Sequence, residues 1–339
     1  MKEVNYAVIG LSGMGLAHIT GITTDPRARL AAVCDIDASR RDEAAALQKG
    51  VRAYGDYREV LASRDVDAVV IVVPDQLHRE IAVAALAAGK HVLCEKPMAL
   101  TLEDLRAMIG ASRASDRKFM VGQICRFTPG FLAAKKLIDE GAIGELFYVE
   151  SEYAHDYANI LKPGSWRLDP LRHGFLGGGC HAVDLLRWIA GDPEEVSAFA
   201  NRKMLADCPT DDCMIAIMKF PDDVIGTVFV STGCKRNYTM RSAFYGSKGT
   251  IITDNTSPNM QVFRVDSTCG YTVPMLYPIS ISNHNTIGEI RTFTDCIVND
   301  TPVPTDAFEG AKTVCASLAA IRASHSGTVE KIDYSVLEP

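Results

Sequence analysis

The sequence has no apolar run of the roughly 18 residues that a membrane-spanning helix requires, no Cys-x-x-Cys pair, no internal repeat and no low-complexity tail. Each absence narrows the reading. No transmembrane segment is expected. The opening stretch carries one lysine followed at once by a glutamate, and Asn5 interrupts its apolar residues. It therefore lacks the apolar core and small-residue cleavage site of a secretory leader, and a cytoplasmic protein is expected. Cysteine and histidine show no ligand spacing, so no metal is expected. Ten cysteines are present, but Cys34, Cys94, Cys125 and Cys296 sit in apolar runs, as buried free thiols of a reducing compartment do. No block of lysine and arginine stands out and the net charge is −7, which disfavours nucleic acid and anionic membranes as partners.

What remains is an ordinary globular composition, 47% apolar and 23% charged over 339 residues, enough for two cores. The first third alternates between strand and helix. Residues 6–10, 29–36, 66–74, 91–97 and 118–124 read as strands, and 14–23, 38–48 and 77–89 as helices, with another helix starting at Thr101. The run "VDAVVIVVP" is almost continuously apolar, as expected for a strand buried on both faces. Such alternation implies a parallel sheet with right-handed crossovers. After about residue 125 the rhythm changes. A helix (129–140) leads into an alternating strand (145–157), then a helix at 180–190. From 195 to 266 strands follow one another, separated by turn residues, as in an antiparallel sheet. The expected fold is α/β: a doubly wound parallel-sheet domain over 1–122, then an α+β substrate and oligomerisation domain over 123–339 with a large open, mostly antiparallel sheet. The last helix, about 305–325, is free to pack back on the first domain.

"VIGLSGMG" places Gly10, Gly13 and Gly15 where the first strand turns into the first helix. Glycine there lets backbone approach a pyrophosphate, while the helix start, with Met14, offers N–H groups and the positive end of its dipole. Ser12 stands where a second glycine is usual; it is small and can itself donate to phosphate. Asp35, followed by Ile36, ends the second strand at about the remove expected of a carboxylate that accepts the ribose hydroxyls and repels a 2′-phosphate. NAD is favoured over NADP, although Arg40 and Arg41 lie near enough to hold an extra phosphate; their plainer reading is a solvated helix start.

With "VVPDQLH", "CEKPMAL" and "GCHAVDLLRWIAG" following in order, the chain resembles the Gfo/Idh/MocA oxidoreductases, the family of glucose–fructose oxidoreductase and inositol dehydrogenase. The resemblance covers essentially the whole chain. It implies a held NAD(P), a sugar, glycoside or cyclitol as substrate, and homodimers or homotetramers packed through the open sheet. Carried over residue by residue, Lys96 next to Glu95 in the Glu-Lys-Pro signature reaches the reacting hydroxyl. Val73, Pro74, His78 and Glu95 lie along the cofactor, Trp166 and Arg167 flank the nicotinamide, and His181 is the catalytic histidine. Many members carry an aspartate four residues before that histidine. Here Gly177 takes its place, which leaves Asp184 as the nearest carboxylate.

Oxidising a secondary alcohol needs a base for the hydroxyl proton. Histidine is near neutrality without tuning, whereas lysine needs a desolvated or positively charged setting to serve. His181 is thus expected as principal acid/base with Lys96 polarising the oxygen, the reverse assignment staying open. Asp184, three residues on, can share a helix face with His181 and orient it, or be a structural acid. Period-two geometry puts Tyr153, His155 and Tyr157 on one face of their strand, either around a sugar or at an oligomer interface. Arg126 has two readings, a substrate contact or an ion pair. His284 and Glu289 are lesser candidates; His18 and His91 read as structural. The expected activity is an NAD-dependent dehydrogenase of a ring hydroxyl. Its rivals are a redox-neutral glycosidase or lyase with tightly held NAD, and a non-catalytic NAD-binding regulator.

Overall fold

The computed structural model describes residues 3–265, 270, 272–281 and 284–338. It divides into two compact units, one comprising Met1–Gln123, Asn285–Ala311 and Ser335–Pro339, the other Ile124–His284 and Lys312–Tyr334.

The first unit alternates β1 (Val4–Ile9), α1 (Gly13–Thr24), β2 (Ala28–Cys34), α2 (Ala38–Ala45), β3 (Arg52–Tyr54), α3 (Tyr57–Ala62), β4 (Ala68–Ile71), α4 (His78–Ala87), β5 (His91–Glu95), α5 (Leu102–Arg113) and β6 (Phe119–Gly122). Every described pairing is parallel, in the order β3-β2-β1-β4-β5-β6. That is the doubly wound arrangement, whose switch point between β1 and β4 opens a crevice at the carboxyl ends of those strands. All four residues of β4 are buried, which accounts for their unbroken apolar character. The strand is shorter than the expected 66–74. Pro74 has no N–H to offer a ladder, and Asp75–Leu77 turn into a short 3₁₀ segment. The short β3 and α3 carry too few periodic residues to be read from sequence. Asp56 caps α3 by accepting the Arg58 N–H.

The second unit begins with α6 (Pro129–Asp139), β7 (Leu146–Ala154), α7 (Gly174–Gly177) and α8 (Cys180–Ala190). There follow β8 (Glu195–Asn201), β9 (Cys213–Lys219), β10 (Ile225–Ser231), β11 (Thr239–Gly246), β12 (Gly249–Asp254), β13 (Asn259–Val265) and β14 (Thr272–Pro278), with β15 (Glu330–Lys331) near the end of the chain. These make a nine-stranded sheet in the order β14-β13-β12-β11-β7-β10-β9-β8-β15. Among the described residues β7 and β10 are its one parallel pair. Strict alternation in β9 buries Met214, Ala216 and Met218 and exposes Ile215 and Ile217 on the other face. Val149 and Val228 of the central strands are fully buried, and α8 packs against β7.

Two helices complete the chain, α9 (Thr286–Val298) and α10 (Ala307–Ser326). The sequence reading placed everything after residue 122 in one domain, whereas residues 285–311 belong to the first unit. The reason is packing. A side chain at Gly21 of α1 would come within 2.9 Å of the Thr286 carbonyl, so the two helices touch backbone to backbone. The Thr286 hydroxyl donates to the Ala17 carbonyl at 3.1 Å, and Tyr6 and Thr294 share a buried hydroxyl hydrogen bond of 2.8 Å.

Candidate active site

In the first unit the turn from β1 into α1 stands at the switch point. Gly10 has φ +96°, and a Cβ on it would lie 2.3 Å from the Val72 carbonyl; one on Gly15 would lie 2.1 Å from the Gly10 carbonyl. Both positions require glycine. At Gly13 a Cβ would meet nothing within 4 Å. The N–H groups of Gly13, Met14 and Gly15 precede the first intrahelical bond, made by Leu16 N–H to the Ser12 carbonyl. Ser12 is the exposed N-cap residue, and no acid occupies the first turn. An open turn of backbone donors at a helix start suits a pyrophosphate.

Asp35 binds this turn to the rest of the unit: its Oδ2 accepts the Leu11 N–H at 2.8 Å and its Oδ1 the Asp37 N–H at 2.9 Å. A carboxylate has about four lone-pair sites, so two remain for a diol. Arg40 lies 3.9 Å from Asp35 Oδ2 and half-exposed, while Arg41 donates to the Asp35 carbonyl at 2.7 Å. Ile36 is 94% exposed, an apolar surface beside the carboxylate. The residues present fit a dinucleotide whose ribose is unphosphorylated.

The Glu-Lys-Pro turn after β5 is held from below. Glu95 is buried, with Oε1 2.9 Å from His18 Nε2 and Oε2 accepting the Lys96 N–H at 3.2 Å. His78, fully buried, sets Nδ1 2.9 Å from the Pro97 carbonyl and Nε2 3.2 Å from that of Val73. Glu95 and His78 were expected along the cofactor. Their polar atoms instead brace the loops that carry Val73, Pro74 and Lys96. Lys96 itself is half-buried.

In the second unit the glycine run before His181 has a steric cause. A Cβ at Gly177 would come 2.6 Å from the Arg172 guanidinium, and one at Gly178 2.6 Å from the Tyr153 ring. His181, on the first turn of α8, is 2% exposed and stacks on Tyr153 with ring centroids 6.1 Å apart. Tyr153 Oη is 2.7 Å from that of Tyr157 and 3.5 Å from His155 Nδ1. The structure thus brings Tyr153, His155 and Tyr157 together, although β7 ends at Ala154. Burial pushes the Tyr153 hydroxyl well above the ordinary phenol range, with Tyr157 adding to it, and pushes His155 down. Both are thereby neutral hydrogen-bonding groups at neutral pH.

Two more residues join this nest, of which the sequence reading did not raise Tyr238. Tyr238 meets Tyr153 and His155 edge-on at 5.6 and 5.5 Å, and His284, a lesser candidate, lies 5.9 Å from the His181 ring. Tyr238 arrives there because β11 pairs antiparallel with β7, Met240 opposite Tyr153. Arg172 was also missed. It fills the space over Gly177 and sits 4.7 Å above the Trp166 ring, which Arg167 approaches at 4.3 Å.

The structure bears on two residues that each carried two readings. Asp184 does not turn toward His181; it is 1% exposed and accepts Arg126 Nε at 2.8 Å, Arg126 Nη2 at 2.7 Å and the Thr313 hydroxyl at 3.0 Å. Residues three apart share only part of a helix face, and here the aspartate is committed to the core. Of the two readings of Arg126 the structure matches the ion pair: the side chain is buried and holds Asp184. Glu289, the other lesser candidate, belongs to the first unit, 4.0 Å from His18.

A doubly wound unit with an open glycine turn and a carboxylate at the end of its second strand, followed by an open-sheet unit with a histidine among tyrosines, fits a dinucleotide-dependent oxidoreductase. Comparison with known proteins makes this specific. Residues 4–123 match the oxidoreductase family GFO/IDH/MocA, NAD-binding Rossmann fold, and residues 131–252 match the GFO/IDH/MocA C-terminal domain. The chain belongs to this family, and its cofactor is NAD. It is 33% identical to inositol 2-dehydrogenase 2 of Saccharopolyspora erythraea, over 73% of this chain and 72% of that one. Levoglucosan dehydrogenase of Pseudarthrobacter phenanthrenivorans is 29% identical, over 74% of each. A solved levoglucosan dehydrogenase in complex with NADH and L-sorbose superposes with a TM-score of 0.91 at 25% identity, covering 98% of this chain and all of that one.

Proposed function

We propose that the protein is an NAD-dependent dehydrogenase of a secondary ring hydroxyl in a cyclitol or sugar, with Lys96 and His181 handling the hydroxyl proton. The observation that carries the substrate class is the nest around His181. Tyr153, Tyr157 and Tyr238 offer ring faces to the apolar faces of a polyol, and their hydroxyls, with His155 and His284, offer donors and acceptors to its oxygens. Relatives named for inositol and levoglucosan support it. Gly13, Met14 and Gly15 would bind the pyrophosphate and Asp35 the ribose diol. When bound, NAD supplies the hydride acceptor. His181 takes the proton from the hydroxyl oxygen as the carbon is oxidised, and Lys96 steadies the charge developing on that oxygen.

The exposed face of the large sheet supports a homo-oligomer. Phe199, Ile215 and Phe229 stand in register across β8, β9 and β10, all exposed. The nine cysteines among the described residues are free thiols, which suits a reducing cytoplasm. No described helix is long and apolar enough to cross a membrane.

The test is an NADH-formation screen over inositols, monosaccharides and anhydrosugars, repeated with Lys96→Ala and His181→Ala. Turnover on at least one ring polyol, reduced a hundredfold or more in both variants, is expected. A parent protein that binds NAD yet reduces it with no polyol overturns the proposal.

A further inference from the structure

We propose that Glu289 is a positioning residue for Lys96, acting through His18 and Glu95 on the turn that carries the lysine. This rests on the reading of Lys96 given above. Glu289 belongs to α9, far from the Glu-Lys-Pro signature in sequence. It is fully buried, and neither carboxyl oxygen has a hydrogen-bond partner among the described residues. Buried acids are costly unless they hold something. His18 Nδ1 lies 4.0 Å from Oε2 and likewise has no hydrogen-bond partner among the described residues. The opposite nitrogen of the same ring lies 2.9 Å from Glu95, and Glu95 accepts the Lys96 N–H. Thus a chain of three side chains, all within the first unit, runs from α9 through α1 to the end of β5.

One order of protons fits a neutral Glu289 carboxyl. With a proton on Nε2, His18 donates to the Glu95 carboxylate and presents Nδ1 as an acceptor. A protonated Glu289 is the donor that acceptor needs, and closing the gap to bonding distance takes a shift of about 1 Å. Burial, with the charge of Glu95 adding to it, pushes the Glu289 carboxyl well above its ordinary range and so supplies that proton. The ionisable groups facing Glu289 are His18 from α1 and Glu95 from β5, while β6 presents Gly122, where a Cβ would lie 3.6 Å from Glu289 Oε1. The neighbouring Thr286, which donates to the Ala17 carbonyl, keeps α9 in place on α1. Once that shift closes the gap, the imidazole is fixed at both nitrogens and the Glu95 carboxylate is held in one orientation. The charge that the ammonium feels is then fixed too.

The experiment reads Lys96 directly. The pH dependence of its reductive methylation, with formaldehyde and cyanoborohydride, is followed by peptide mass spectrometry in the parent, Glu289→Leu, Glu289→Gln and His18→Gln. Thr294→Val, which removes the Tyr6 hydrogen bond on the same helix, is the control for a merely structural loss. We expect the Lys96 midpoint to move by about half a pH unit or more in Glu289→Leu and His18→Gln. It should return toward the parent in Glu289→Gln, whose amide can donate to Nδ1, and stay at the parent value in Thr294→Val. Superimposable profiles in Glu289→Leu and the parent overturn the inference. If Glu289→Leu does not fold, His18→Gln decides in the same way. In parallel, kcat for NAD reduction should fall tenfold or more in Glu289→Leu with KM for NAD within twofold. Full activity in Lys96→Ala would instead refute the role given to the lysine, whatever its reactivity profile shows.

Discussion

Replacing Asp184 by asparagine separates an anchor from a catalytic partner. Its two carboxylate oxygens accept three close donors, Arg126 Nε, Arg126 Nη2 and the Thr313 hydroxyl, at 2.7–3.0 Å, and Arg187 Nη1 stands 3.7 Å away. Both Asp184 and Arg126 are nearly inaccessible to water. Removing one member of a buried ion pair costs about 3–5 kcal/mol, because the partner is left charged and buried. An amide retains one acceptor oxygen and turns an N–H toward the guanidinium, which places this substitution near 3 kcal/mol. In a unit of this size each kcal/mol lowers Tm by roughly 2–4 °C, so a drop of about 6–12 °C is expected. Well below that Tm, kcat should change by less than about threefold, since Asp184 turns toward Arg126 rather than His181. Arg126→Leu with Asp184→Leu, which removes both charges, should recover most of the lost Tm. Differential scanning fluorimetry and steady-state NAD reduction on the same preparations measure both quantities. A Tm within about 2 °C of the parent together with a hundredfold fall in kcat would show the aspartate orienting His181, and the anchor assignment would be wrong.

Three further outcomes follow from the first unit. Gly13→Ala should leave Tm unchanged while weakening NAD binding about tenfold by calorimetry, since its methyl points where backbone must approach phosphate; Gly15→Ala, against the Gly10 carbonyl, should lower Tm as well. Asp35→Ser removes the carboxylate that repels a 2′-phosphate, and the ratio of kcat/KM for NAD to that for NADP should fall at least about tenfold; an unchanged ratio would remove Asp35 from cofactor selection. His91 accepts the Lys118 N–H at Nδ1, which demands an unprotonated nitrogen, and burial pushes its pKa down to about 4. A base depressed in the fold contributes stability that is complete above the unfolded value near 6.5 and is lost as pH falls toward 4. Allowing for its partial exposure, this contribution is about 1–2 kcal/mol. Tm measured from pH 7 to 4 should therefore fall less steeply in His91→Gln than in the parent, and equal slopes would contradict this account.

Much of the cofactor unit was legible in the sequence because its signals are local. A strand, a glycine turn and a helix lie within twenty residues, and each is set by backbone sterics and nearest-neighbour periodicity. The same holds for the helix at 180–190, which ends where Gly191 adopts φ +90°. The short β3 and α3 fell below what periodicity reveals, and α9 was not read although Asn285 caps it by accepting the Gly288 N–H at 3.0 Å.

By itself the sequence determined the order of the longer elements of the first 266 residues, the glycine turn with its following carboxylate, and the positions of Lys96 and His181 along the chain. Only the tertiary structure decided which side chains face one another. It paired Asp184 with Arg126, 58 residues away, and set Tyr238 beside Tyr153 through strand pairing. It also drew α9 onto α1, so that Glu289 came to lie against His18. These partners are chosen by burial and by the need to satisfy every polar group inside a core. That demand acts across space, and neither residue type nor spacing along the chain carries it.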